Sequence, residues 1–527
     1  MNQLLKRERQ TTWLLLAGLW ALLLLLAVWR PLALPDEGRY AEVGRWMWLS
    51  GDWLVPRLDG IPFFHKPPLL HWLQALSFAI FGVSPWSARL VPAVHAGIML
   101  AALYLAARTT TTEAVARRAA LMLGTSLAFL LGGQYVNHDM LVASWIGVAI
   151  WAFALSFLQG DRPHANLARL GFVACALGVL SKGLIGLALP GLVLLGWLIW
   201  TRQLGKVVRL PWPSGLALFA LIAVPWFAVA QSRYPGFMDY LFGAQQFSRF
   251  TGSHFNNVRP WWFYLPAVAL LVFPWFWFAL HQARADARRA TAEVSARAPK
   301  VAALCWLWIA VIVGFFSIPH SKLVGYVLPV APPLALLAAL GWQHCFGERR
   351  AGRTAFAVVC GLLLIGSGVL SEVVSRHSRR VGTQDIAATL ACQASPTDIV
   401  YAVGDYPYDL PFYTQATQPM VVVQDWSEVR RTAGDNWRRE LFEGANFDPA
   451  AGQVLQVPQA LAQAVMQPGR WLVSPRAVDP DPTASGWVAV ARGTAWDLYR
   501  SAPERPVAAE DKGLPGCDQQ RRKQRHQ

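Results

Sequence analysis

Apolar runs long enough to cross a bilayer alternate with short linkers rich in Arg and Lys as far as Leu370. The first run, Trp13 to Trp29, follows Lys6, Arg7 and Arg9. No small-residue cleavage site precedes Arg30 and Pro31, so it reads as a retained first span. Later runs predict spans over Arg89–Ala107, Ala119–Tyr135, Met140–Phe157, Leu167–Leu180, Leu184–Trp200, Ser214–Ala230, Trp261–Leu280, Val301–Ile318, Val324–Trp342 and Thr354–Leu370. With the first, that makes about eleven. The linkers with Arg108/Arg117/Arg118, Arg162/Arg169, Arg202/Lys206/Arg209, Arg284/Arg288/Arg289/Arg297/Lys300 and Arg349/Arg350/Arg353 then all fall on one side. The positive-inside rule makes that side, with the N-terminus, the cytoplasm.

The long loop over residues 30–86 falls on the opposite, outer side. Its apolar segment Leu69–Phe81 would be only about 20 Å long as a helix, too short to cross, and is expected to lie on the membrane. His71, Gln74 and Ser77 recur every three positions along it, and Val43 to Trp53 has a similar mixed character, as in interfacial helices. Beyond Ser371 the apolar density collapses. Short runs at Asp398–Val403, Met420–Gln424, Trp471–Ser474, Trp487–Ala491 and Ala495–Tyr499 alternate with polar, Pro-containing turns and read as strands. The expected organisation is a transmembrane domain over 1–372, an outer α/β domain over 373–501 and a disordered tail over 502–527.

Composition agrees with the pattern. The chain is 54% hydrophobic with only 15% charged residues and 26 Trp, and its mean hydropathy is +0.32, too apolar for a soluble protein. The net charge of +16 would point to nucleic acid in a soluble domain, but here the cations lie largely in inner linkers, so no nucleic-acid partner is expected. Cys392 and Cys517 are the only cysteines expected on the outer side; a disulfide and two unpaired thiols both remain open.

The residues capable of chemistry gather at the outer face. Asp36 and Glu37 follow the first span directly, as a solvated pair or as functional acids. Lys66, among aromatics and prolines in Phe63-Phe64-His65-Lys66-Pro67-Pro68, can hold a lipid phosphate or snorkel to the interface. Asp139 begins a span, where an acid can cap the helix or act on substrate. Lys182, in the turn Ser181-Lys182-Gly183, is a phosphate ligand or an interfacial anchor. Lys322 repeats a cation at an outer span end, with the Tyr326 hydroxyl one helical turn on to join it on a phosphate. His65 and His254 are the candidate ligands for a divalent metal, although they lack near-sequence zinc spacing. No Gly-rich phosphate loop, G-x-S-x-G or C-x-x-C is present, so no nucleotide cofactor is expected.

Taken in order, Pro35-Asp36-Glu37-Gly38-Arg39-Tyr40-Ala41-Glu42, Ser50-Gly51-Asp52-Trp53-Leu54-Val55-Pro56, Phe64-His65-Lys66-Pro67-Pro68 and Ser181-Lys182-Gly183 resemble the bacterial lipid A 4-amino-4-deoxy-L-arabinose transferases. These form a branch of the polyprenyl-phosphate-sugar glycosyltransferases that includes the protein O-mannosyltransferases. Arg259-Pro260-Trp261-Trp262 and Ser321-Lys322 to Tyr326 continue the resemblance, which fades in the tail domain. It implies a glycosyltransferase C fold in the bacterial inner membrane, with the C-terminal domain in the periplasm. It also implies a polyprenyl-phosphate-sugar donor and a lipid or glycan acceptor such as lipid A. By match, Asp36 and Asp139 would be the active-site acids, with Glu37 beside them. Lys66, Arg259, Lys322 and Tyr326 would hold the donor phosphate, joined by Lys182. Family members commonly carry Glu where this chain has His65, which changes the ligand type there.

A donor that crosses the membrane with its lipid suits a face that offers no nucleotide sugar. A protein O-mannosyltransferase-like enzyme is the nearest alternative. A transporter or flippase would place its ionisable residues at mid-bilayer in broken helices rather than at one face. Alkaline phosphatase fused after Arg380 is expected to be active; an inactive fusion at normal expression rejects the span count.

Overall fold

The computed structural model describes residues 2–248, 257–289, 297–434 and 436–501. His254, Cys517 and the tail expected to be disordered lie outside them. The chain forms two compact units: Met1–Leu26, Lys66–Leu70 and Arg89–Val369 in one, and Ala27–His65, His71–Ala88 and Leu370–Gln527 in the other.

Among the described residues eight helices are long and apolar enough to cross a membrane: Lys6–Val28, Pro85–Thr110, Asp139–Leu158, Ala165–Lys182, Trp212–Arg233, Lys300–Ser317, Val324–Phe346 and Arg350–Val381. The chain is a multi-spanning helical membrane protein. The other three expected spans take different forms. Trp261–Leu271 and Phe276–Asp286 make a pair bent by 108°, and Ile185–Trp200 is a helix of 16 residues. The third is divided into Glu113–Gly124 and Leu127–Gly132. The division has a local cause: the Ser126 hydroxyl accepts the amide of Phe129 and so caps a new helix. The first unit's core includes Phe129, Met140, Ile146 and Leu336, with Trp151 and Trp308 edge-to-face at 5.3 Å.

The second unit contains a hairpin of β1 (Arg57–Leu58) and β2 (Ile61–Pro62) and a six-stranded sheet. The sheet strands are β3 (Ile399–Val403), β4 (Val421–Val423), β5 (Leu455–Gln456), β6 (Arg470–Pro475), β7 (Val488–Arg492) and β8 (Trp496–Arg500), in the order β5-β4-β3-β6-β8-β7. Strands β5, β4, β3 and β6 are parallel and joined through helices, while β7 and β8 form an antiparallel edge. All five runs read as strands from the sequence form strands; β5, only two residues long, carried no such signal.

The loop after the first helix packs into this same unit. The amide of Leu32 donates to the Tyr413 hydroxyl at 2.9 Å, Arg57 pairs with Asp448 at 2.9 Å, and Asp59 at the hairpin turn accepts the amide of Met420 at 2.8 Å. Glu42 and Arg45, on the helix Asp36–Ser50, form a fully buried pair at 2.6 Å.

The Leu69–Phe81 helix forms, but its polar stripe faces the opposite way from that of an interfacial helix. His71, Gln74 and Ser77 are buried, while Leu76, Ile80 and Phe81 are exposed. A helix can turn its polar face inward when the interior supplies partners. Here the Ser77 hydroxyl donates to the carbonyl of Ser87 at 2.7 Å, and burial lowers the His71 pKa to about 3, so its ring is neutral.

Asp59 is nearly inaccessible, and burial raises its pKa to about 7. A raised carboxylate contributes stability that is present below its unfolded value and lost as pH rises through the folded one. Asp59→Asn, which keeps an acceptor for Met420, is therefore expected to stabilise the solubilised protein at pH 8 by on the order of 2–4 kcal/mol and to flatten the pH 5–8 slope of thermal unfolding. A shallower slope should remain from Asp409, which burial raises to about 6. An unchanged slope removes Asp59 as its source.

Candidate active site

In the first unit, the helices Asp139–Leu158 and Ala165–Lys182 follow one another closely, and the end of the second meets the start of the first. An acid at a helix N-terminus and a base at a C-terminus each complement the local dipole. The Lys182 ammonium donates to Asp139 Oδ1, with the two side chains 12% and 10% exposed. Asp139 does not cap its helix. His138 occupies the cap position, without a side-chain cap bond, and Asp139 is the first helical residue. Its Oδ2 accepts from the Asn137 amide at 3.0 Å, and its own N–H donates to Asn137 Oδ1 at 2.9 Å. The adjacent His138 ring lies 2.8 Å from the carbonyl of Ser181, tying the two turns together.

Tyr326 completes this cluster. Lys182 Nζ stands 4.3 Å from its ring centroid, a cation–π contact. Gly325 is required beside it, because a Cβ there would lie 2.0 Å from Asp139 Oδ2. Lys182 and Tyr326 open onto a cavity of about 330 Å³, also lined by Lys66, Gln246, Phe315 and Ile185. It joins cations to apolar walls.

Lys322 is engaged differently from the phosphate contact expected of it. Its ammonium donates to the backbone carbonyls of Pro319 and Arg259, the latter at 3.2 Å. The same segments exchange backbone bonds from Arg259 to His320 and from Lys322 to Asn257, each at 3.0 Å. The exposed Arg259 side chain lies beyond this clip, 5.9 Å from the Phe263 ring centroid.

The remaining acids belong to the second unit. Asp36 opens its helix and pairs with Arg39, which also holds Glu440 at 2.6 Å and lies 4.7 Å from the Tyr40 ring centroid. Burial acts to lower the Arg39 pKa, but Glu440, Tyr40 and Asp36 outweigh it and raise the value. Glu37 is fully buried, pairing with Arg30 at 3.1 Å and accepting the amide of Ala33 at 2.8 Å. His65 stacks on Phe63 at 5.0 Å, with Nε2 3.8 Å from Glu443. Among the described residues no three His, Cys, Asp or Glu side chains converge as a metal site, and His254 lies outside them.

Arg39 stands in the Pro35-to-Glu42 motif, which carries no signal of its pairing with Glu440. Glu440 and Gln246 carried no signal, because their partners lie far away in the chain.

A family described as dolichyl-phosphate-mannose-protein mannosyltransferase matches residues 65–228. An undecaprenyl phosphate-α-4-amino-4-deoxy-L-arabinose arabinosyl transferase of Sodalis glossinidius is 30% identical over 517 residues, covering 92% of this chain and 84% of that protein. A Pseudomonas aeruginosa protein of the same description is 31% identical over 376 residues, covering 69% and 65%. The crystal structure of ArnT from Cupriavidus metallidurans bound to undecaprenyl phosphate superposes with a TM-score of 0.77 at 24% identity, over 94% of this chain and 99% of that one, a likeness of fold.

The Lys182–Asp139 pair predicts a stability signature. Lys182→Met strands a largely buried carboxylate and is expected to destabilise the solubilised protein by about 3 kcal/mol, while adding Asp139→Asn should recover more than half. Additive losses in thermal unfolding would mean that the two charges do not depend on each other.

Proposed function

The chain belongs to the undecaprenyl phosphate-α-4-amino-4-deoxy-L-arabinose arabinosyl transferase family, glycosyltransferases of the C-type fold, and from that premise we propose that it moves an amino sugar from a polyprenyl-phosphate donor to lipid A or another envelope glycan. The observation that carries this reading is the cavity where Lys66, Lys182 and Tyr326 meet apolar walls, since a lipid-linked sugar phosphate needs both characters. We assign the enzyme to the bacterial inner membrane, with eleven spans, a cytoplasmic N-terminus and a periplasmic C-terminal domain. The basic linkers support this orientation.

In the proposed reaction, the bond from sugar C1 to phosphate oxygen breaks as the acceptor oxygen attacks from the opposite face, inverting the configuration. Lys66, Lys182, Arg259 and Tyr326 stabilise charge developing on the departing polyprenyl phosphate, because charge-assisted contacts strengthen toward the transition state. Lys322, spent on backbone carbonyls, positions Arg259. Asp139, held at both oxygens, positions Lys182. Asp36, the more exposed of the two acids, takes the proton from an acceptor hydroxyl. Glu37, locked on Arg30, shapes the loop that carries Asp36. An acceptor that is already a phosphate needs no base.

The mannosyltransferase match favours one second reading, transfer to a protein hydroxyl. Mass spectrometry of envelope lipids and glycoproteins with and without the chain separates the two.

In membranes supplied with polyprenyl-linked donor, Lys66→Ala is expected to weaken donor use by about 1.5–3 kcal/mol. Asp36→Asn should lower turnover roughly 10²-fold or more with donor affinity retained. Full turnover by correctly folded Asp36→Asn protein would reject a base at that position, and unchanged donor dependence in Lys66→Ala would remove this lysine from the pocket.

A further inference from the structure

The turn that carries Lys182 is fastened by a residue from a distant element. Gly183 has φ +87°, a conformation suited to glycine, and directly over it lies the side-chain amide of Gln246. A Cβ at position 183 would stand 2.2 Å from Gln246 Nε2. Gln246 belongs to Asp239–Ser248, a π-helical segment, and such segments recur at functional sites. Its Oε1 accepts the backbone N–H of Leu184 at 2.9 Å. This bond fixes which end of the amide is which, since only the carbonyl oxygen can receive an N–H. The amino end is therefore Nε2. It is buried and, among the described residues, has no acceptor.

Gln246 also lines the cavity that holds Lys66, Lys182 and Tyr326. An N–H donor buried without an acceptor is unfavourable, and an arriving oxygen relieves that cost. The surrounding side chains already select for an oxygen-rich head: two ammonium groups, a phenol and a neutral amide. A fixed amide is the kind of group that orients a ligand within an otherwise apolar pocket.

We infer that Gln246 is a specificity-determining residue of the donor pocket: its carbonyl holds the Lys182 turn, and its amino group hydrogen-bonds an oxygen of the donor's sugar-phosphate head. The inference rests on the donor class proposed above. Two oxygen sources share this chemistry, a phosphate oxygen and a sugar hydroxyl.

Gln246→Glu separates ligand recognition from scaffolding, because the carboxylate keeps an acceptor for Leu184 and nearly the same shape while losing the amino group. Gln246→Met loses both polar ends. With the full-length protein in nanodiscs, binding is measured to undecaprenyl phosphate and to the same lipid carrying its amino sugar, alongside KM, kcat and thermal unfolding. Both variants are expected to weaken binding of the sugar-loaded lipid and raise its KM roughly tenfold, with Gln246→Glu unfolding as the wild type does. An equal loss with bare undecaprenyl phosphate assigns the contact to phosphate; a loss confined to the loaded lipid assigns it to the sugar. Wild-type affinity in Gln246→Glu, with impairment only in Gln246→Met, overturns the inference and leaves Gln246 a structural fastener. A wild-type protein that binds neither lipid overturns the donor class itself.

Discussion

A carboxylate and an ammonium that neutralise each other at the facing ends of two successive helices organise the first unit's site. Asp139 and Lys182 lie 43 residues apart, yet each occupies the helix end whose dipole favours its charge. Neither would be buried so far without the other, because an unpaired ion in such surroundings is strongly disfavoured. The other contacts of the site follow from this pair. Asn137 holds the free oxygen of the carboxylate, Tyr326 receives the cation on its ring face, and Gly325 leaves room for the acid. The lysine thus enters the cavity already directed and partly neutralised, so its affinity for a phosphate reflects competition with its own carboxylate.

The membrane helices were legible in the sequence because hydrophobic length is a local property. The sheet was nearly as legible: five runs bounded by turn residues formed strands, and only β5 escaped, since two residues carry no periodicity. Individual charges were harder to read. Lys66, Lys182 and Tyr326 were expected at one phosphate pocket and do line one cavity. Lys322, given the same role on the same kind of evidence, turns to backbone carbonyls. A cation at a span end does not specify which acceptor it will meet. Asp139 shows the complementary difficulty: position at a helix start pointed equally to a cap, yet His138 takes the cap position and Asp139, one residue on, meets Lys182.

The Leu69–Phe81 helix exposes a limit of periodicity itself. Spacing by three identified a polar stripe correctly but could not say which way it faces. In water a polar stripe faces out; beside lipid the preference reverses if the interior offers partners. The Ser87 carbonyl supplies a partner to Ser77, while Leu76, Ile80 and Phe81 are left on the surface, a pattern suited to contact with acyl chains.

The contacts between the early loop and the late sheet also constrain arithmetic. Asp59 bonds Met420, Leu32 bonds Tyr413 and Arg57 pairs with Asp448, so the loop and the sheet share one side of the bilayer. The chain between them must then cross an even number of times. Of the eight helices long enough to span, the first precedes the loop, leaving seven, which is odd. If all seven cross, parity calls for one or three further crossings from the bent pair, the 16-residue helix and the divided segment. Three hydrogen-bonded contacts within the second unit therefore act as a checksum on segments remote from them in the sequence.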